Sequence, residues 1–90
     1  MKTISHTVIN ANGLTSKYAA ELVAEANKYV SDIVIVADRN DKSKQADLKS
    51  IMDVFTIIVR DGETFEIDFD GEDEEKAYEG FEKLFEVLPL

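Results

Sequence analysis

Apolar and polar residues alternate in residues 3–9 and again in residues 64–70, "TFEIDFD", as they do in half-buried β-strands. The apolar side of the first stretch also carries His6. Residues 32–37, "DIVIVA", are rich in β-branched side chains and predict a further strand. The polar segment that follows them predicts a hairpin turn into a short strand at about residues 45–46.

The hydrophobic period changes to that of a helix in two long segments. The first runs from Ser16 to about Tyr29, and the second follows Gly71, with acidic residues in its first turn, where the helix dipole favours them. The residues expected on the buried sides are Ala19, Leu22, Val23, Ala26 and Val30 in the first helix, and Ala77, Phe81, Leu84 and Leu88 in the second.

A third, short helix is predicted over Ser50–Phe55. Its apolar residues are Ile51, Met52 and Phe55, which either pack in the core or form a docking patch. One helical turn cannot bury all three, so at least one of them is expected to be exposed.

The predicted element order is β-α-β-β-α-β-α. Residues 57–59 are expected to be extended or a loop, and Asp61-Gly62 a turn. Three helices suffice to cover one face of a four-stranded, mostly antiparallel sheet. The pattern therefore predicts an α+β open-faced sandwich, formed by residues 1–90 as a single domain.

Composition narrows the class of protein. The formal net charge is −9 and the sequence pI is about 4.4, so nucleic acid and anionic membranes are not expected as partners. The chain has no cysteine, and neither a signal peptide nor a membrane-spanning run is apparent. A cytoplasmic protein is the expectation.

The start of the first long helix is the main candidate site. Asn12-Gly13 predicts a turn, and Thr15-Ser16 opens a helix whose free N–H groups and dipole favour an anion. Thr15, Ser16 and Lys17 are the candidate anion-binding residues. No histidine, cysteine or carboxylate accompanies them. The alternative, which the residue types favour, is ordinary capping of the helix by a hydroxyl group.

Two other features favour structural roles over chemical ones. His6 is the only histidine and lies on the inward side of a strand, away from the helix start. The acidic stretch "DFDGEDEE" of residues 68–75 lacks the spacing of a calcium-binding loop, so it is interpreted as a strand end followed by an acidic helical turn. No metal site is predicted.

Several segments together resemble the HPr family, the small phosphocarriers of the bacterial phosphoenolpyruvate-dependent sugar phosphotransferase system. They are "NGLTSKYAAELV", "ANKY", "ADLKSIM" and "GEDEEKAYEGFEKLFE", and they occur in the family's order over nearly the whole chain. The resemblance implies the HPr fold, which has the element order predicted above.

The working motif of that family, Gly-Leu-His-x-Arg-Pro, begins here at Gly13 and Leu14. By this resemblance the phosphorylated histidine falls on Thr15, the arginine on Lys17 and the proline on Tyr18. A threonine hydroxyl needs a base to become nucleophilic, and a phosphothreonine is an inert ester. The substitutions indicate that the phosphocarrier chemistry is lost.

The family's regulatory serine, the substrate of HPr kinase in many Gram-positive bacteria, falls on Ser50; the alternative is that Ser50 only caps the short helix. The resemblance implies a regulatory or adaptor protein similar in logic to Crh, with no enzymatic activity and no cofactor. Its partners would be phosphotransferase-system enzymes, HPr kinase and a transcription regulator. The implied docking residues are Leu14, Lys49, Ile51, Met52 and Phe55. The alternatives are phosphotransfer through a non-standard acceptor and a plain interaction module that retains only the fold.

Overall fold

A computed structural model describes all residues, 1–90, and has the element order predicted from the sequence. The sheet has the strand order β1-β4-β2-β3, and each neighbouring pair is antiparallel. The elements are β1 (Lys2–Thr7), α1 (Ser16–Ala26), β2 (Asp32–Val36), a 3-10 turn (Lys42–Lys44), β3 (Gln45–Asp47), α2 (Ile51–Val54), β4 (Thr64–Asp70) and α3 (Glu74–Val87). The predicted α+β sandwich with a four-stranded sheet and three helices is confirmed.

The inward sides of the strands and the helices share one core. Strand β4 contributes Phe65, Ile67 and Phe69, all almost fully buried, at the alternate positions expected of a strand. Helix α3 packs over β1 and β4 and buries Ala77 and Phe81. The two other residues predicted for this buried stripe, Leu84 and Leu88, are only half-buried.

The outward side of the sheet is polar and is bridged by side chains. Thr3 donates to Asp68 at 2.8 Å. Arg39, from the β2–β3 hairpin, folds onto this side and forms ion pairs with Glu66 and Asp68 at 2.6 Å each. The Arg39 guanidinium holds the pKa of the Asp68 carboxyl below its usual value. The sheet therefore has a polar side that faces solvent and an apolar side that the helices cover.

Helix α1 ends at Ala26, three residues before the end expected from the hydrophobic pattern. The Asn27 side chain terminates it, donating to the carbonyl of Val23 at 2.9 Å and to that of Lys49 at 3.2 Å. The second of these bonds joins residues 22 positions apart, so the local pattern does not contain it.

The predicted burial of Val30 is wrong, because this side chain is 74% exposed. The neighbouring Ser31 is buried instead. The Asp73 carboxylate accepts hydrogen bonds from Val30 N at 3.0 Å, Ser31 N at 2.9 Å and Ser31 Oγ at 2.5 Å. These bonds, chiefly the one from the Ser31 hydroxyl, lower the pKa of Asp73 and fix the α1–β2 connection against the start of α3.

Candidate functional site

A tight turn sets the position at which the chain enters α1. Asn10 Nδ2 donates to the carbonyl of Gly13 at 2.8 Å, and Gly13 N donates to the carbonyl of Asn10 at 2.9 Å. Gly13 has a φ of +72°, a left-handed conformation that glycine adopts without steric cost. Leu14 N then donates to the carbonyl of Val59 at 2.9 Å, which ties the turn to the loop before β4.

Thr15 occupies the N-cap position of α1 with extended backbone angles, but its side chain makes no capping hydrogen bond. The interpretation of Thr15 as an ordinary cap is therefore wrong, because the hydroxyl group makes no capping hydrogen bond. The amides of Ser16, Lys17 and Tyr18 have no acceptor within the chain. The first turn of the helix thus leaves N–H donors free beside an unengaged hydroxyl group.

A cavity of about 260 Å³ opens beside this helix start. Leu14, Thr15, Ser16 and Ala19 line one side, while Val54, Phe55 and Ile57 line the other. The lining is mostly apolar and contains no titratable side chain. Such a cavity can take an apolar group, and nothing in it can act as a base.

Helix α2 presents an apolar surface next to the cavity. Met52 is 72% exposed and Phe55 is 51% exposed, whereas Ile51 is half-buried. The expectation that at least one of these three residues is exposed is confirmed. The residue that α2 does bury is Val54, which the sequence analysis did not select.

The two lysines among the candidate residues, Lys17 and Lys49, differ in whether the ammonium group is free. Lys17 is exposed, with its ammonium nitrogen 5.7 Å from the centroid of the Tyr18 ring, and forms no ion pair. Lys49 Nζ donates to the carbonyl of Tyr29 at 2.7 Å. Lys49 thereby holds the end of the α1 region, and its ammonium group is already engaged.

Ser50 is the N-cap of α2 and is half-buried. Its hydroxyl oxygen accepts from Asp53 N at 3.4 Å, a long hydrogen bond. This bond confirms that Ser50 caps α2. Because α1 packs against α2, Ser50 and the start of α1 belong to neighbouring helices.

His6 does not line the cavity. Its ring stacks on Phe85 of α3, with centroids 4.3 Å apart and planes 11° from parallel, and contacts Phe65 with centroids 5.6 Å apart. Burial lowers the pKa of His6, against a smaller opposing contribution from the backbone of Leu90. The imidazole is thus part of an aromatic cluster, as expected of a structural histidine.

Three carboxylates of the acidic stretch, residues 68–75, are bonded to other groups of the same chain. Asp68 binds Arg39, and Asp73 binds the Val30–Ser31 segment. Glu74 accepts from Gly71 N at 3.2 Å and pairs with the amino group of Met1 at 3.1 Å. These carboxylates hold chain segments together.

Inorganic phosphate is expected to shift the backbone amide resonances of Thr15, Ser16 and Lys17, because donors without an acceptor point from a helix start. A two-dimensional NMR titration measures this, with sodium chloride at matched ionic strength as the control. Shifts confined to other amides, or equal shifts in the control, would contradict an anion site here.

Comparison with known proteins relates the whole chain to one family. Residues 2–87 match the family model described as the PTS HPr component phosphorylation site. The phosphocarrier protein HPr of Lysinibacillus sphaericus is 34% identical over 90 residues, which is 100% of this chain and 98% of the relative. The HPr-like protein Crh of Halalkalibacterium halodurans is 36% identical over 67 residues, covering 74% of this chain and 75% of that protein.

A solved structure gives the same assignment. The histidine-containing phosphocarrier protein of Mycoplasma superposes with a TM-score of 0.81 at 32% identity, covering 91% of this chain and 89% of its own. No helix here has the length and apolar character needed to span a bilayer. With its match from residue 2 to residue 87 and its shared sheet and helices, the chain belongs to the HPr family, which is related to the bacterial phosphotransferase system.

Proposed function

We propose that this chain is a regulatory or adaptor member of the HPr family that binds partner proteins and does not relay phosphoryl groups. The observation that carries the proposal is Thr15, which occupies the motif position of the phosphorylated histidine when Gly13 and Leu14 are aligned with the family motif. The chain's only histidine, His6, packs among Phe65 and Phe85.

The chemistry around Thr15 supports the loss of phosphotransfer. An imidazole with a pKa near 6.5 is a ready nucleophile at neutral pH, whereas a hydroxyl group requires a base. The cavity beside Thr15 supplies no base. A phosphothreonine would also be kinetically trapped, because hydrolysis of phosphate monoesters needs accelerations of up to about 10²¹-fold.

The surface around α2 supports a binding role. Met52 and Phe55 are exposed beside the apolar cavity, so a partner side chain could enter the cavity while its neighbours cover these two residues. Ser50 lies at the start of the same helix. We infer that HPr kinase modifies Ser50 and that a transcription regulator reads the added charge, which would place a dianion beside an apolar docking surface.

A second candidate function is phosphotransfer through a non-standard acceptor. The observation that favours it is the unengaged Thr15 hydroxyl beside three amides without acceptors. The two candidates differ in whether the chain is labelled at all. A phosphothreonine formed by the second candidate would be acid-stable, whereas the phosphohistidine of an ordinary HPr is acid-labile.

Incubation with phosphoenolpyruvate and the first enzyme of the phosphotransferase system tests the proposal. The wild-type chain is expected to take up no label, while the HPr of Lysinibacillus sphaericus serves as the positive control. The matched variant carries Thr15→His and Lys17→Arg, and acid-labile labelling of it would show that the missing imidazole is the cause. Stoichiometric labelling of the wild-type chain would overturn the proposal, and an acid-stable label lost in Thr15→Val would establish the second candidate.

A further inference from the structure

The segment between α2 and β4 has a second exposed side. Ile57 and Val59 are buried, whereas Ile58 is 72% exposed and Arg60 is also exposed. This alternation is that of an extended segment, in which successive side chains point to opposite sides. Ile57 lines the cavity beside the start of α1, so Ile58 and Arg60 share the side opposite to it.

Two further cavities flank the Ile58 side chain. The larger has a volume of about 300 Å³, and its lining consists of Lys44, Thr56, Ile58, Arg60 and Glu63. The smaller, of about 230 Å³, is lined by Ala37, Asp38, Lys44, Ile58, Val59, Glu63 and Thr64. Neither cavity shares a lining residue with the one beside Thr15, so they belong to a separate surface.

The larger cavity holds two cations without a charged partner. Although the net charge of the chain is −9, neither Lys44 nor Arg60 forms an ion pair. The one carboxylate in the lining, Glu63, accepts from the backbone Arg60 N at 2.7 Å. This cavity is therefore locally positive on an acidic protein, and it favours an anionic group.

The other acidic groups near Lys44 are bonded within the β2–β3 hairpin. Asp38 Oδ1 accepts from Asn40 N at 2.9 Å. Asp41 Oδ1 accepts from Ser43 N at 3.0 Å and from Ser43 Oγ at 2.6 Å. Neither carboxylate forms an ion pair with Lys44, whose ammonium group is left to interact with a partner.

The main chain at Ile58 is free as well. Neither its N–H nor its C=O bonds to another group of the chain, whereas the carbonyl of the next residue, Val59, accepts from Leu14 N. An extended peptide can pair with such groups in the manner of an added strand.

We propose that Lys44, Ile58 and Arg60 form a docking surface for an extended acidic segment of a partner protein. A carboxylate of the segment lies between Lys44 and Arg60, an apolar side chain two residues away covers Ile58, and the main chain pairs with that of Ile58. This inference goes beyond the proposed function, because the surface contains no residue of α1 or α2 and requires neither Thr15 nor Ser50.

A protein segment uses more of this surface than the other possible occupants do. A small inorganic anion could pair with Lys44 and Arg60 but would leave Ile58 and its main-chain groups uncovered. In a second copy of the chain, the six-residue edge strand β1 has the sequence KTISHT and supplies no carboxylate. The combination of two cations with an exposed apolar side chain is complementary to an acidic and apolar peptide.

NMR titration with short peptides tests the chemistry of the surface. The blocked peptide Gly-Leu-Ser-Glu-Gly should shift the amide resonances of Ile58, Arg60 and Glu63. Two control peptides, Gly-Leu-Ser-Gln-Gly without the carboxylate and Gly-Ser-Ser-Glu-Gly without the apolar side chain, should each bind at least about threefold more weakly.

A pair of double variants locates the binding. Lys44→Gln with Arg60→Gln should weaken binding of Gly-Leu-Ser-Glu-Gly at least about threefold. Lys76→Gln with Lys83→Gln changes the net charge equally at two exposed cations of α3 that form no ion pair, and it should leave the affinity unchanged. Circular dichroism verifies that both double variants are folded.

Four results would overturn the proposal. The first two are the absence of shifts at Ile58, Arg60 and Glu63, and equal weakening of peptide binding in the two double variants. The third is that inorganic phosphate at equal concentration reproduces the shifts, which would reveal a site for small anions. The fourth is a dimer seen by analytical ultracentrifugation that Lys44→Gln with Arg60→Gln dissociates, which would make a second copy the occupant.

Discussion

Replacing Gly13 by alanine is expected to lower the free energy of unfolding by about 3 kcal/mol. Part of this loss comes from the φ of +72°, which costs an alanine roughly 1–2 kcal/mol. The rest comes from the new Cβ atom, which would collide with the carbonyl oxygen of Val59 and lie 3.1 Å from the Cα of Arg60. The same carbonyl accepts the Leu14 N–H, so the collision also disturbs the bond that positions the helix start.

Gly62→Ala is the matched control for this experiment. Gly62 also has a left-handed φ, +85°, but a Cβ there would meet no atom within 4 Å. Gly62→Ala should therefore lower the free energy of unfolding by only about 1–2 kcal/mol. Urea unfolding monitored by circular dichroism measures both variants. Equal destabilisation of the two would show that the close approach of Gly13 to Val59 adds nothing to the cost of the left-handed φ.

The strands and long helices could be predicted because their burial is periodic in the sequence. Phe65, Ile67 and Phe69 are separated by polar residues, so only one side of β4 can enter the core. The end of α1 could not be predicted in the same way. Asn27, the C-cap residue, donates to the carbonyl of Lys49, and this contact exists only after the two segments have packed together.

The short helix α2 shows a second limit of the sequence pattern. Asp53 is the only polar residue among residues 51–55, so the hydrophobic pattern does not indicate which of the four apolar residues faces the core. Packing against α1 and β3 selects Val54 for the core and leaves Met52 and Phe55 outside. The resemblance to the family implied all three of Ile51, Met52 and Phe55 as docking residues, whereas the hydrophobic pattern alone left core packing and docking both open.

At the start of α1, residue type was a misleading guide. Threonine is a common N-cap residue, and its position here is the N-cap, yet its hydroxyl makes no capping bond. Side-chain orientation decides this outcome, and the sequence does not encode it locally. The hydrogen bonds that Ile9 N and Asn10 N donate to the carbonyl of Leu90 were missed because they join residues about 80 positions apart.

Treatment with HPr kinase and ATP is expected to label this protein at Ser50, and Ser50→Ala should abolish the label. Ser50 begins α2, next to the exposed Met52, and its only capping bond, to Asp53 N, is a long one of 3.4 Å. A phosphoryl group would add a charge of about −1.5 to −2 at pH 7 close to the apolar docking surface. The charge would repel acidic partner surfaces and attract those bearing arginine.

Ser43→Ala is the control for this labelling, because Ser43 is an exposed serine in the β2–β3 hairpin whose hydroxyl donates to Asp41 at 2.6 Å. Mass spectrometry should find full modification of Ser43→Ala and none of Ser50→Ala. Loss of the α2 cap costs about 1 kcal/mol, so Ser50→Ala should remain folded, and its circular dichroism spectrum would verify this. A label that persists in Ser50→Ala, or no label under conditions that modify an ordinary HPr, would leave the plain interaction module as the better account, since the docking surface of Met52, Phe55 and the adjacent cavity exists without the switch.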